Sequence, residues 1–231
     1  TNGATLSYVW ESNSGSGWSV IANEITATYD APAGLTTTTQ YRRLTTSLLN
    51  GLTCSNTSNV ITVSVNAIST SISSDQTICS GGDPAVFTAS TTSTNGAALS
   101  YVWEKNSGSG WSAISGATSA TYDAPSGLTT TTQYRRITSS LLNTVSCSDT
   151  SNTITITVND VTAGTVAGDQ TICSGGDPVA FTQTAAASGS GNLTYQWQSS
   201  TDNNNFTDIQ GETSLTFDVP SGLTTTTYYR R

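Results

Sequence analysis

The chain contains no histidine and no methionine, and its cations are one lysine, Lys105, and three arginine pairs. Each shortage closes off a chemistry. A hydroxyl nucleophile needs a base to take its proton, so the abundant Ser and Thr have no partner for hydrolytic catalysis. Lys105 occupies a position held elsewhere by Ser12 and Ser199, so it serves no repeated mechanism and no Lys–Asn cross-link. The net charge of −8 lacks the clustered cations that displace counterions from phosphate, which excludes nucleic acid as a partner. No run approaches the roughly 20 apolar residues of a membrane span. No signal peptide opens the chain, and a secreted parent is expected to carry one upstream.

Charged residues make up 10% of the chain and hydrophobic ones 35%, both low for a globular protein. Disordered chains share the second property, but they are charged and poor in aromatics. Here 18 aromatics recur at fixed places, which points to packed β-structure under a hydroxyl-rich surface.

Self-comparison decides the architecture. Leu6-Ser-Tyr-Val-Trp10 returns as Leu99-Ser-Tyr-Val-Trp103 and again as Leu193-Thr-Tyr-Gln-Trp197, at spacings of 93 and 94 residues. Residues 6–66 and 99–159 align without a gap, with 44 of 61 positions identical. Gln76 to Pro84 recurs as Gln170 to Pro178. This period suits a small autonomous sandwich and is too long for a solenoid coil. The expected domains are 1–66, lacking its opening strands; 67–159, complete; and 160–231, lacking its last strand. One extra residue between Asn159 and Cys173 marks a linker, and another between Trp197 and Phe206 marks a hairpin tip. The linkers, Asn66 to Ser74 in the first case, are short enough to leave adjacent modules bent or twisted but not free.

Within the middle module, strands are predicted at 85–89, 99–103, 111–114, 119–122, 129–138 and 151–158, separated by Gly, Pro, Asn and Asp clusters. Strict alternation places Leu99, Tyr101 and Trp103 on one face. No helical period intervenes. The fold class is therefore all-β: tandem immunoglobulin-like Greek-key β-sandwich modules. Trp10, Trp103 and Trp197 take the place of the buried core Trp of such folds, and Tyr41 and Tyr134 anchor the strand after its corner turn.

Cys79 closes the first strand of the middle module and Cys147 precedes the last, so a Cys79–Cys147 disulfide is predicted, with the partners of Cys54 and Cys173 outside the chain. Closing such a loop would contribute roughly 4 kcal/mol in the chain-entropy model and place the protein outside the reducing cytoplasm. A zinc site lacks its CxxC spacing and His ligands. The repeated Asp30, Asp123 and Asp218 precede Pro-containing turns, as Asp83 and Asp177 lie within Gly-Gly-Asp-Pro turns. Asp75 and Asp169 repeat near the linker, where calcium would need denser Asp/Asn runs. Glu11 and Glu104 give way to Gln198, so that position carries no fixed catalytic role. No catalytic residue, metal or cofactor is assigned.

Two repeated sets remain as candidate contacts. The pairs Arg42-Arg43, Arg135-Arg136 and Arg230-Arg231 must divide between opposite strand faces, bracing the sandwich against an Asp or Glu or contacting a neighbouring module. Trp18, Trp111 and Phe206 share one hairpin position, either covering the core edge or, if exposed, stacking on sugar rings.

The pattern Thr-Ile-Cys, Tyr-x-Trp, Tyr-Arg-Arg and Cys-Ser-x-x-Ser-Asn-x-Ile-Thr-Val resembles the Ig-like repeats of Bacteroidota surface proteins. It looks like the modules of giant adhesins exported by the type 9 secretion system, including gliding-associated ones. The resemblance implies the same fold, a cell-surface location, Trp103 as core Trp and Cys79 with Cys147 as bridge, and supplies no catalytic residue. The expected function is a stalk or fibre segment of an extracellular adhesin, each module adding roughly 35–45 Å. Its partners would be neighbouring modules and lateral fibre neighbours. The alternative is a glycan-binding array that takes surface glycans.

Overall fold

The computed structural model describes residues 3–93 and 96–231; Thr1, Asn2, Thr94 and Asn95 lie outside that description. Every regular element among the described residues is a β-strand. The first repeat contributes β1 (Thr5–Asn13), β2 (Ser19–Val20), β3 (Thr39–Leu49), β4 (Leu52–Thr57) and β5 (Ile61–Val63). The second contributes β6 (Ile68–Ile72), β7 (Gln76–Cys79), β8 (Ala89–Ser93), β9 (Ala98–Asn106), β10 (Ser112–Ala113), β11 (Thr132–Leu142), β12 (Val145–Thr150) and β13 (Ile154–Asn159). In the third lie β14 (Val161–Thr162), β15 (Thr165–Val166), β16 (Gln183–Ala185), β17 (Ser188–Gly189), β18 (Gln198–Ser200), β19 (Thr207–Asp208) and β20 (Tyr228–Arg230).

The middle module is a two-layer sandwich. One sheet runs β10-β9-β11-β13-β7, with β12 also on β11; β6 and β8 form the second. The chain changes sheets between β6 and β7, so β7 lies parallel to β13, whose other partner, β11, runs antiparallel. Alternation on β11 buries Thr132, Tyr134, Arg136, Thr138 and Ser140, and on β13 it buries Ile154, Ile156 and Val158. Between the sheets, Phe87 lies 6.0 Å from the Trp103 ring and 4.9 Å from that of Tyr134. The indole N–H of Trp103 donates to the Ser119 carbonyl at 2.9 Å, so its burial leaves no donor unpaired.

Three elements differ from the sequence reading. Residues 119–122, read as a strand, form none; Tyr122 alone makes an isolated bridge, to Phe87. Residues 68–72, read as linker, form β6, which the module needs to close its second sheet. Phe87, read as mid-strand, makes only an isolated bridge to Tyr122, and the paired strand starts at Ala89. The chain leaves the preceding turn at Pro84, which has no N–H to extend a ladder.

The flanking modules show what the second sheet does. Ile61 and Ile154 are counterparts, yet Ile61 is 54% exposed and Ile154 is 1%. Among the described residues, nothing in the first module corresponds to β6–β8. Its Tyr41 is buried and Trp10 half-buried. In the third module Trp197, Phe217 and Val219 form a buried cluster. A cleft of about 840 Å³ there, lined by Ile172, Phe181 and Tyr229, occupies the place that β13 fills in the middle module.

The β11–β12 hairpin turns through Asn143 and Thr144, with φ of 46° and 72°. Two positive φ values define the turn type that suits hairpin twist, and Asn50-Gly51 meets the same demand in the first module. A β-branched residue there is strained. Thr144→Gly is therefore expected to stabilise the middle module by about 1 kcal/mol, read from the urea midpoint; an unchanged or lower midpoint would contradict this.

Burial pushes the phenols of Tyr122 and Tyr134 above their ordinary 10.0. A folded-state value above the unfolded one contributes stability that is fully present below pH 10 and is lost as pH rises through the folded value. Alkaline titration of the unfolding free energy should show that fall, and Tyr134→Phe should make it shallower.

Candidate functional site

On β11 the Arg pair divides between the two faces of the sheet. Arg135 points outward, directly across from Glu104 on β9, and its Nε donates to Glu104 Oε2 at 2.6 Å. Its guanidinium lies 4.2 Å from the ring centroid of Trp111, which the β9–β10 hairpin returns over the sheet. The first module repeats this with Arg42, Glu11 and Trp18, again at 2.6 Å and 4.2 Å. In the third, Arg230 Nε donates to Gln198 Oε1 at 2.6 Å and stacks 4.0 Å over Phe206. The sequence reading gave this Glu/Gln position no role. Its signal was an acceptor side chain in every repeat, next to the Trp and across from the Arg in antiparallel register.

Arg136 points inward and is 1% exposed. Its guanidinium lies over Tyr101 at 4.7 Å and Trp103 at 5.9 Å. Its Nη2 donates to Thr70 Oγ1 on β6 at 2.6 Å and to Thr91 Oγ1 on β8 at 2.5 Å, and Nη1 to the Ala120 carbonyl at 2.5 Å. No carboxylate is among these partners, and burial lowers its pKa, with Tyr101 partly opposing that shift. Neutral oxygens and two aromatic faces hold a desolvated cation. Arg43 repeats the stack over Tyr8 and Trp10 and donates to the Ala27 carbonyl. Arg231 lies over Tyr195 and Trp197 and donates to Leu215, Ala163 and Gln183. The expectation of a paired acid therefore describes the outward Arg42 and Arg135. The inward Arg136 uses hydroxyls, because its side chain crosses to a sheet whose facing residues are Thr.

The predicted Cys79–Cys147 disulfide is corrected by the strand register. All four cysteines are free thiols. Along β11, eight residues separate Ser140, which faces Cys147, from Thr132, which faces Ile156; Asn159, beside Cys79, lies three residues further on. At about 3.3 Å per residue the two cysteines stand on the order of 35 Å apart, whereas a disulfide needs Cα atoms within about 7 Å. They occupy opposite poles of the module.

The other polar side chains of this region are engaged in the fold. Asp75 accepts from the Thr155 N–H at 2.8 Å and Asp149 from the Thr70 N–H at 3.0 Å. Asp202 accepts from the backbone N–H groups of Asn205 and Asn204 and from Ser200 and Asn205 side chains, which holds its carboxyl well below the usual carboxylate range. Among the described residues, no group of three or more Cys, Asp or Glu converges where a metal ion would sit.

A family model matches three times, at residues 1–67, 68–160 and 162–231; its description is a domain of unknown function, DUF8696. The chain belongs to this family. No curated protein matches it. Among solved structures, the three N-terminal domains of the bacteriophage RB49 highly immunogenic outer capsid protein (Hoc) match at 15% identity with a TM-score of 0.44. That match covers 98% of this chain and 75% of the phage one. The sandwich assignment of the DUF8696 modules rests on their own strand pairing.

In a DUF8696 module the two arginines of a pair thus have different surroundings, and removing them should separate cleanly. Arg136→Ala removes the donor to Thr70, Thr91 and the Ala120 carbonyl and opens a cavity, and is expected to cost about 3 kcal/mol or more. Arg135→Ala removes a partly exposed pair and stack, and is expected to cost about 1 kcal/mol or less. Urea titration followed by tryptophan fluorescence measures both; equal losses would contradict the assignment.

Proposed function

We propose that the chain is a spacer segment of an extracellular stalk or fibre on a bacterial surface, and that it has no catalytic activity. The observation that carries this reading is that the repeated charged and aromatic side chains are satisfied within their own module. Arg135 covers one face of the half-buried Trp111, Arg42 covers Trp18, and Arg230 covers Phe206. An aromatic platform for a sugar needs an open face on the ring, and here the repeated cation already lies on one. With no His, and with Asp75 and Asp149 tied to backbone N–H groups, the inventory offers no acid–base pair. What recurs is the module itself.

The junction supports the same reading. Asn66 Nδ2 donates to the carbonyls of Ser140 at 2.9 Å and Val145 at 3.1 Å, and its Oδ1 accepts from Ser140 Oγ at 2.6 Å. One residue of the connection is thus clamped in the next module's hairpin, which opposes free swivelling and favours an array of defined spacing.

Antibody against residues 67–159, imaged by electron microscopy on the producing cell, is expected to label thin threads at intervals along their length. Label confined to a compact head or to points of contact would sink the stalk reading. A glycan array bound by the chain and lost in Trp111→Ala would put a glycan-binding array in its place.

A further inference from the structure

The two cysteines of the middle module stand at opposite poles, each at a junction with a neighbouring module. Cys79 ends β7 beside Asn159, and both point away from the core that Ile78 and Val158 enter. Asn159 is the counterpart of Asn66 in the preceding repeat. Asn66 is the residue clamped by the hairpin of the next module, through Ser140 and Val145. Ser140 lies directly opposite Cys147, and the two share the inward face of that hairpin. In the repeat, one asparagine therefore has an A-type cysteine (the Cys79 position) at its side in its own module. In front of it is a hairpin cysteine (the Cys147 position) of the following module.

We propose that a disulfide joins consecutive modules, from the Cys79 position of one to the Cys147 position of the next. The chain holds one half of each pair: Cys147 at the first junction and Cys79 at the second. An inter-strand step of about 4.8 Å separates Cys79 from Asn159, and another separates Cys147 from the Ser140 that binds Asn66, so superposing the two junctions sets a thiol on each side of one asparagine. In the bridge, one S–S bond forms between the two Sγ atoms. A low-molecular-weight disulfide such as oxidised glutathione is cleaved, taking both electrons and both protons and leaving as two thiols. The bond would bypass the linker and fix the angle between modules. The pairing rests on junction geometry and not on the stalk reading, which a failure would leave standing.

Two extended forms of the full chain test it in a glutathione redox buffer, with non-reducing peptide mapping by mass spectrometry. One carries a copy of residues 137–159 after Arg231 together with Cys147→Ser, which gives the third module its hairpin. Cys79 is expected to be linked to the added cysteine in most molecules. The other carries a copy of residues 67–93 before Thr1 together with Cys79→Ser, and Cys147 is expected to link to the added cysteine. The unextended chain should show no Cys79–Cys147 link. Absence of the link from both extended chains, or a Cys79–Cys147 link in the unextended one, overturns the proposal.

Discussion

Arg136 is sealed between the two sheets of the middle module with no carboxylate to neutralise it, and the rest of the sandwich is arranged around that fact. The strand that supplies it, β11, also supplies the buried Tyr134, and β9 supplies the Tyr101 and Trp103 faces under the guanidinium. The facing sheet supplies Thr70 and Thr91, one from each of its strands. A cation stripped of water is tolerated when enough acceptors surround it, and here those acceptors come from both layers. The guanidinium therefore ties the sheets together with directional bonds where a purely apolar core would allow sliding. Thr138 Oγ1 to Thr70, Asp149 to the Thr70 N–H and Asn152 to the Ile72 N–H converge on the same strand. Strand β6 is held largely by polar contacts.

This explains which parts of the fold could be read from the residues. Strands with alternating apolar positions, such as 99–103 and the Ile-Thr-Ile-Thr-Val run of β13, announce themselves, and so does the Trp they bury. The sequence of β6, Ile-Ser-Thr-Ser-Ile, has two apolar residues and looks like linker; its place as a strand rests on the ladder with β8 and on Thr70 meeting Arg136, both long-range. The two arginines are neighbours in sequence with identical chemistry. Only antiparallel register, which sets Arg135 across from Glu104 and turns Arg136 to the core, tells them apart. The disulfide prediction failed for a related reason. Nearness to the first and last strands in sequence says nothing about which pole a residue occupies, and β7 runs parallel to β13. That orientation sends Cys79 to the far end.

The polar nature of the tie also bears on how modules work in series. Arg43 has the aromatic stack and the Ala27 carbonyl of its own sheet system, but no counterparts of Thr70 and Thr91 among the described residues. The exposure of Ile61 in the same module follows from the same missing layer. Closing a module thus does two things together: it covers the apolar face of the first sheet and adds the Thr70 and Thr91 hydroxyls to the acceptors of the inward arginine. Because the covering strand β6 follows Asn66 directly, closure of one module and docking on the previous one are steps of a single short segment.

The differences among the three repeats show which property of the outward arginine matters. Gln198 replaces Glu and removes the negative charge, yet the acceptor stays 2.6 Å from Arg230 Nε, as in the two ion pairs. Phe206 replaces Trp and the stack persists at 4.0 Å. Charge attraction between partly exposed groups contributes little in water, so its loss is tolerated. What every repeat keeps is the geometry: an acceptor beside the guanidinium edge and an aromatic ring beneath its face. That arrangement fastens the β9–β10 type of hairpin onto the sheet and covers one face of its aromatic ring. The repeated residues thus act on the shape of the module.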